Sequence, residues 1–235
     1  MEHGRHGFNF LSGLGLPVHI SGLLLVGFVL VVSMWIARSQ LLRVMKMADG
    51  GLVPDAHFSY RNFFEMYAEF LFNLTEMILG EHHAKRFYPL IGSIFSIIIT
   101  ANLIGLIPGF GAPTSDINTT LAFGIFVFIF YNAIGIKENG LIKYFKHFMG
   151  PVIFLAPLIF VIEIISHLVR PLSLALRLRG NIDGDHQVLM IFNELVPIGI
   201  PVIFYGLGVF VSFMQAFVFS LLTMVYISLS TAHDH

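Results

Sequence analysis

Four stretches of this chain hold no Asp, Glu, Lys or Arg between their ends: Arg5 to Arg38, Arg86 to Asp116, Asp116 to Lys137, and Glu194 to Asp234. A helix of about 20 apolar residues is enough to cross a hydrocarbon core of about 30 Å. Each stretch reaches that length, so the chain reads as a set of membrane helices. Composition agrees. Of 235 residues, 56% are hydrophobic and 11% charged, where a soluble globular domain has roughly 25% charged.

The flanks of these blocks suggest how they thread. A first span is predicted over 17–37, ended by Arg38, Arg43 and Lys46. A second, over 87–108, follows Lys85 and Arg86, and a third, over 117–136, precedes Lys137, Lys143 and Lys146. The loop 109–116 has no basic residue. Because basic residues stay on the cytoplasmic side, the tail 1–16 and the loop 109–116 are expected outside, and the carboxyl terminus inside. Segments 87–136 then form a hairpin of two spans within a single membrane domain, 1–235.

Between the first two spans, Asn62, Glu65, Glu69, Asn73 and Glu76 fall within about 80° on a helical wheel, with Phe63, Phe64, Met66, Phe70 and Met77 elsewhere. The pattern predicts an amphipathic helix over 57–80. It would lie along the cytoplasmic interface, against a partner, or simply pack within the fold. The last third differs. Segments 152–193 and 197–232 are too long to cross upright at about 1.5 Å per residue. A tilted or bent hairpin over 152–232 is expected, with Asn193, Glu194 and Pro197 at its turn and Pro157, Pro171 and Pro201 as bends or helix starts. The expected class is therefore an all-α integral membrane protein of about five membrane helices plus the amphipathic one.

Several functions are disfavoured at once. Without cysteine there is no disulfide framework, thiolate zinc site or redox dithiol. A net charge of −1, from 13 basic and 14 acidic residues, leaves no footprint for nucleic acid. No Gly-rich loop ends in Lys-Ser or Lys-Thr, so no nucleotide phosphate site is read. No cofactor or metal is called for, no cleavable leader is read at the amino terminus, and His3, His6, His233 and His235 are taken as tail residues.

Chemistry concentrates in Glu163, Arg170, Arg177, Arg179, Asp183, Asp185 and Glu194, set in otherwise membrane-like sequence. An ionisable side chain at the centre of a membrane helix costs about 2.5–3.5 kcal/mol, which marks it for function by default. Glu163, Ser166, Arg170, Ser173, Gly180, Asn181 and Gly184 lie within about 60° of Arg177 on the wheel. Small residues along such a stripe let another helix come close, and a permanently charged guanidinium at its middle can meet that helix's carboxylate. A fixed internal ion pair for Arg177 is the plainer alternative. His186 sits about 180° round from Arg177. With Asp183 and Asp185 it could pass protons from outside, or the three could form a solvated helix end. Arg179 and Asp183, four apart, could simply neutralise each other. On the last helix Gln215 is the strongly polar residue of a long apolar run, sharing a face with Gly208, Val211, Leu222 and Tyr226. Its amide could meet Arg177 or bond another helix.

The run Pro171-Leu-Ser-Leu-Ala-Leu-Arg177-Leu-Arg-Gly-Asn181 resembles the signature of subunit a of rotary F-type ATP synthases. Gln215-Ala-Phe-Val-Phe-Ser-Leu-Leu-Thr-Met-Val-Tyr226 resembles that family's last helix, and Asn102-Leu-Ile-Gly-Leu-Ile-Pro-Gly109, Pro113-Thr-Ser-Asp-Ile-Asn118 and Glu163 extend the likeness. The resemblance implies that Arg177 faces the proton-carrying carboxylates of a c ring and separates two aqueous half-channels. Asn102, Asn181, His186 and Gln215 would belong to or border the path, Glu163 and Ser166 would stand near the cytoplasmic exit, and Ser173, Gly180 and Gly184 would face the ring. It also implies peripheral-stalk subunit b and the lipid bilayer as partners, no catalytic residues in this chain, and a bacterial inner membrane. Two positions depart from the pattern. Arg179 replaces a usual aromatic residue, and Asp185-His186 stands where many members have Gly-Glu, so proton access falls to His186, Asp183 or Asp185.

Two rival readings fit the bare composition. A secondary transporter could bind an anionic substrate at Arg177, but should show an internal repeat with broken helices, which this sequence lacks. A purely structural scaffold would tolerate a neutral residue at position 177.

Overall fold

The structure, a computed structural model, describes residues 17–44, 59–107, 109–140, 144, 156–195 and 199–231, excluding the side chains at 18, 41, 43, 44, 156, 157, 186, 193, 195 and 200. The expected outer tail 1–16, the first residues of the 57–80 segment and of the 152–232 hairpin, and Pro108, Lys46, Lys143, Lys146 and Pro197 lie outside the described residues. Five long helices run in order: α1 Val18–Val44, α2 Tyr60–Gly105, α3 Ile117–Asn139, α4 Ala156–Leu195 and α5 Ile200–Thr231, with a short 3-10 turn at Pro113–Ser115. All five are long and apolar enough to cross a membrane, and no strand occurs among the described residues. A helix lets most backbone N–H and C=O groups find their partners locally, which is what lipid demands of a spanning segment.

The amphipathic helix expected over 57–80 is present as the first limb of α2, residues 60–79, and only the non-helical Gly80 separates it from the second span. Ser59 caps the start, accepting a hydrogen bond from the Asn62 N–H. At Gly80 the backbone breaks to φ 75°, ψ 162°, a conformation that glycine adopts without steric cost. The two limbs, 60–79 and 81–105, then fold back on each other. The rings of Phe72 and Tyr88 lie 5.6 Å apart and those of Tyr67 and Phe95 5.9 Å, while the Tyr67 and Ser96 hydroxyls hydrogen-bond at 2.6 Å. Tyr67 and Phe95 each stand roughly 20 Å of helix from Gly80, so only an acute fold-back brings them together. Glu65, Glu69 and Asn73 stay exposed, as do Phe63, Met66 and Met77.

The core is built by four helices. Ile91, Ile94, Phe95 and Ile98 of α2 meet Val127, Tyr131 and Ile134 of α3, Leu174 and Leu178 of α4, and Ala216, Phe219, Met224 and Ile227 of α5. α1 attaches at the edge through Val26, packed with Ala101 and Ile104. Apolar side chains gain little by leaving lipid for protein, so close steric fit must hold such a bundle. Gly124 illustrates this. A Cβ added there would lie 2.6 Å from the Pro171 carbonyl oxygen, so α3 rests directly on the α4 backbone. Asp116 caps α3, accepting from the Asn118 N–H at 2.7 Å, and its carboxylate lies 3.4 Å from His19 of α1.

α4 and α5 form the expected hairpin. Phe192 stacks on Phe204 at 4.2 Å, Asn181 bonds Gln215, and the Arg170 guanidinium lies over the Tyr226 ring at 5.5 Å. The residue numbers of these pairs have one constant sum, 396, which is the signature of two antiparallel helices in unbroken register. Two prolines sit inside long helices, Pro89 in α2 and Pro171 in α4, and each removes one helical N–H.

Candidate functional site

Three facts define the middle of α4. First, Arg177 is exposed. Among the described residues no ion pair or hydrogen bond to it is found, so the plainer expectation of a fixed internal pair does not hold there. Second, Gly180 and Gly184 are exposed, and a Cβ at either would meet nothing within 4 Å. Packing against the described residues does not require glycine at those positions. Third, the buried face of α4, formed by His167, Leu174, Ala175, Leu178 and Ile182, lies to one side of Arg177 on the wheel, and the exposed apolar face of Ile165, Leu172 and Leu176 to the other. The small polar stripe of Ser166, Ser173, Arg177, Gly180 and Gly184 runs along the seam. Ser166 is exposed and Ser173 partly so.

Beside the arginine, Asn181 Nδ2 donates to Gln215 Oε1 at 2.5 Å. Gln215 is 2% exposed, and its Nε2 has no partner among the described residues. The amide of Gln215 thus meets α4 at Asn181, one turn beyond Arg177, rather than at the guanidinium. One further turn along, the Asp185 carboxylate lies 3.3 Å from where a Cβ of Gly208 would stand, with Leu106 nearer still at 2.7 Å. Glycine at 208 is what leaves room for both. Asn102 is 1% exposed and accepts from the Thr114 hydroxyl at 2.8 Å, its Nδ2 being unpartnered among the described residues. These groups share the end of the bundle that holds the 3-10 turn. Buried amide N–H groups without partners are the kind that ordered water satisfies.

The other end of the hairpin carries a second cluster. Arg170 donates to Glu163 at 3.2 Å, both side chains being partly exposed, and covers the Tyr226 ring. His167 Nε2 and the Tyr144 hydroxyl both bond Asn132 Oδ1, at 2.8 and 2.7 Å.

Some expected site residues stand elsewhere. Asp183 is held by Arg179 at 3.1 Å, the mutual neutralisation their spacing suggested, on a flank of α4 away from the stripe. His186 belongs to α4, but its side chain lies outside the described residues. Sequence reasoning overlooked Thr114, Asn132, Tyr144 and His167. For His167 a signal existed, an ionisable residue beside Ser166 in a membrane span. For the other three, ordinary residue types gave none.

The family model described as ATP synthase A chain matches residues 20–228. The chain is 53% identical to ATP synthase subunit a of Bdellovibrio bacteriovorus, over 80% of this chain and 81% of that protein. It is 43% identical to the subunit a of Geotalea uraniireducens over the full length of both, and 44% identical to that of Geobacter sulfurreducens over 99% of this chain and all of the relative. With five apolar helices, an arginine on α4 that has no partner among the described residues, and this extent of identity, the chain belongs to the ATP synthase subunit a family, as a multi-pass membrane component of that complex.

Proposed function

We propose that this chain is the proton-translocating stator subunit of an F-type ATP synthase, working against a c ring and held by a peripheral-stalk subunit b. Protons enter from outside past Asn102, the Asn181–Gln215 pair and the Asp185–His186 corner. They protonate a ring carboxylate, travel almost a full turn with the ring, and leave past Glu163 and Ser166. In this reading the amino terminus is outside, the carboxyl terminus and the Gly80 turn are cytoplasmic, and no nucleotide chemistry belongs to the chain. The residues 1–235 act as one membrane domain.

One observation carries the proposal: Arg177 is an exposed charge in a membrane helix without a counter-ion among the described residues, beside glycines whose open side no described residue fills. Such a charge is costly in lipid unless a partner supplies the carboxylate. A helix approaching along Ser173, Gly180 and Gly184 can do so at close range. Electrostatics then explains the gate. The guanidinium favours the ionised form of the arriving carboxylate, so its proton departs before the site passes. The same positive charge repels protons that would cross directly. Each elementary charge moved through the field delivers about 2.3 kcal/mol per 100 mV, and this becomes rotation only when the direct leak is closed.

The test is ATP-driven acidification of inverted vesicles carrying Arg177→Ala, with immunoblots for assembly. Loss of pumping in an assembled complex is the expected result. Pumping at the parent rate would overturn the proposal and favour a scaffold.

A further inference from the structure

Between Leu158 and Pro171, His167 is the one described side chain of α4 that is buried; every other is exposed or intermediate. In this first third of α4 the bundle is met by that buried histidine and by the Arg170 guanidinium over Tyr226, before the contact of Pro171 with Gly124. The ring is gripped by α3 on several sides. Phe128 and Tyr131 set their rings edge-on to it at 5.0 and 5.4 Å. Asn132 Oδ1 takes a hydrogen bond from its Nε2 at 2.8 Å. The Asn132 amide is itself locked, accepting from Tyr144 at 2.7 Å and donating through Nδ2 to the Phe128 carbonyl at 2.7 Å. With Oδ1 fixed as an acceptor, His167 must carry its proton on Nε2.

We infer that His167, held by Asn132, is a positioning residue that sets the rotation of α4 about its own axis and so the direction in which Arg177 points. The physical argument is one of specificity. Apolar packing in lipid discriminates weakly between rotated settings of a helix, because lipid is as apolar as leucine. A hydrogen bond is directional and weakens steeply when misaligned. His167 lies about 80° round the helix from Arg177, on the side facing α3. A rotation of about 20° would swing a guanidinium roughly 8 Å from the axis by about 3 Å, and misplacement by even 1 Å can cost about a hundredfold in a positioned site. The inference rests on the role proposed for Arg177, and its test separates the two.

The chain has no cysteine, so single cysteines can report rotation. In the assembled complex in native membranes, cysteines replacing Ser173 or Gly180 on the stripe, and Leu172 or Leu176 on the apolar flank, are treated with a water-soluble methanethiosulfonate. His167→Ala and Asn132→Ala are each expected to change the stripe-to-flank ratio of reactivity at least about threefold, and His167→Gln, whose amide N–H can reach Asn132, to restore it. In the cysteine-free background the two alanine variants should retain ATP hydrolysis and lose ATP-driven pumping about tenfold or more. An unchanged ratio in Asn132→Ala overturns the inference, even where His167→Ala fails to assemble. A changed ratio with normal pumping supports the rotational role and overturns the role proposed for Arg177.

Discussion

Single residues of this protein are informative mainly by whether their polar atoms are matched. Gln215 is buried and depends on Asn181 for the one hydrogen bond its side chain makes among the described residues. Asn181→Ala should therefore destabilise the chain by about 1–3 kcal/mol, the cost of leaving a buried carbonyl unmatched. Adding Gln215→Leu should recover part of that loss, since removing both partners is cheaper than removing one. Denaturation of the purified protein in mixed detergent would read both values. A single variant as stable as the parent would mean that another group or water replaces Asn181. By contrast, Arg86 and Glu138 meet at 2.6 Å across α2 and α3, but Arg86 is 46% exposed. A double-mutant cycle on that pair should return a coupling below about 1 kcal/mol.

At the level of elements, shape is set where a helix is broken or approached. Gly80 turns the two limbs of α2 back on each other with φ 75° and ψ 162°, an extended positive-φ region that costs an L-residue about 1–3 kcal/mol. Gly80→Val should loosen the fold-back. Spin labels replacing Phe72 and Tyr88, whose rings lie 5.6 Å apart, should then report a longer and broader distance, and an unchanged distribution would show that tertiary contacts alone hold the limbs. Gly124→Val is expected to be worse, because its side chain meets the Pro171 carbonyl at 2.6 Å and backbone cannot rotate away as a side chain can. Overpacking of this kind costs about 1–3 kcal/mol, visible as a lower yield of assembled complex.

The whole molecule is a bundle of α2, α3, α4 and α5 with α1 at its edge, and its largest geometric consequence concerns α5. That helix has 32 residues and no charged one, and it is apolar over most of its length. At about 1.5 Å per residue it is about 48 Å long, and a hydrocarbon core of about 30 Å contains it only at a tilt near 50°. The constant register with α4 makes both helices tilt together. Polarised infrared spectroscopy of oriented membranes, with the α5 carbonyls isotopically labelled, should return a steep angle. A value below about 30° would mean that the ends of α5 project beyond the core.

The class of molecule is legible from local sequence, because spanning a membrane is a local demand: uncharged runs of sufficient length reveal their helices without reference to anything distant. The sequence also marked Arg177 and Gln215, since charge and amide stand out against apolar neighbours. The wheel gave the stripe, as helical periodicity fixes which side chains share a face. What the tertiary structure decided is who meets whom. That Arg177 is left without a partner among the described residues while Arg179 takes Asp183 and Arg170 takes Glu163, that the amphipathic segment folds back at Gly80, and that Asn132 grips His167 from 35 residues away are outcomes of packing. Each depends on residues far apart in sequence but close in space, whose pairing is chosen by steric fit and hydrogen-bond geometry across helices. No local pattern carries that choice.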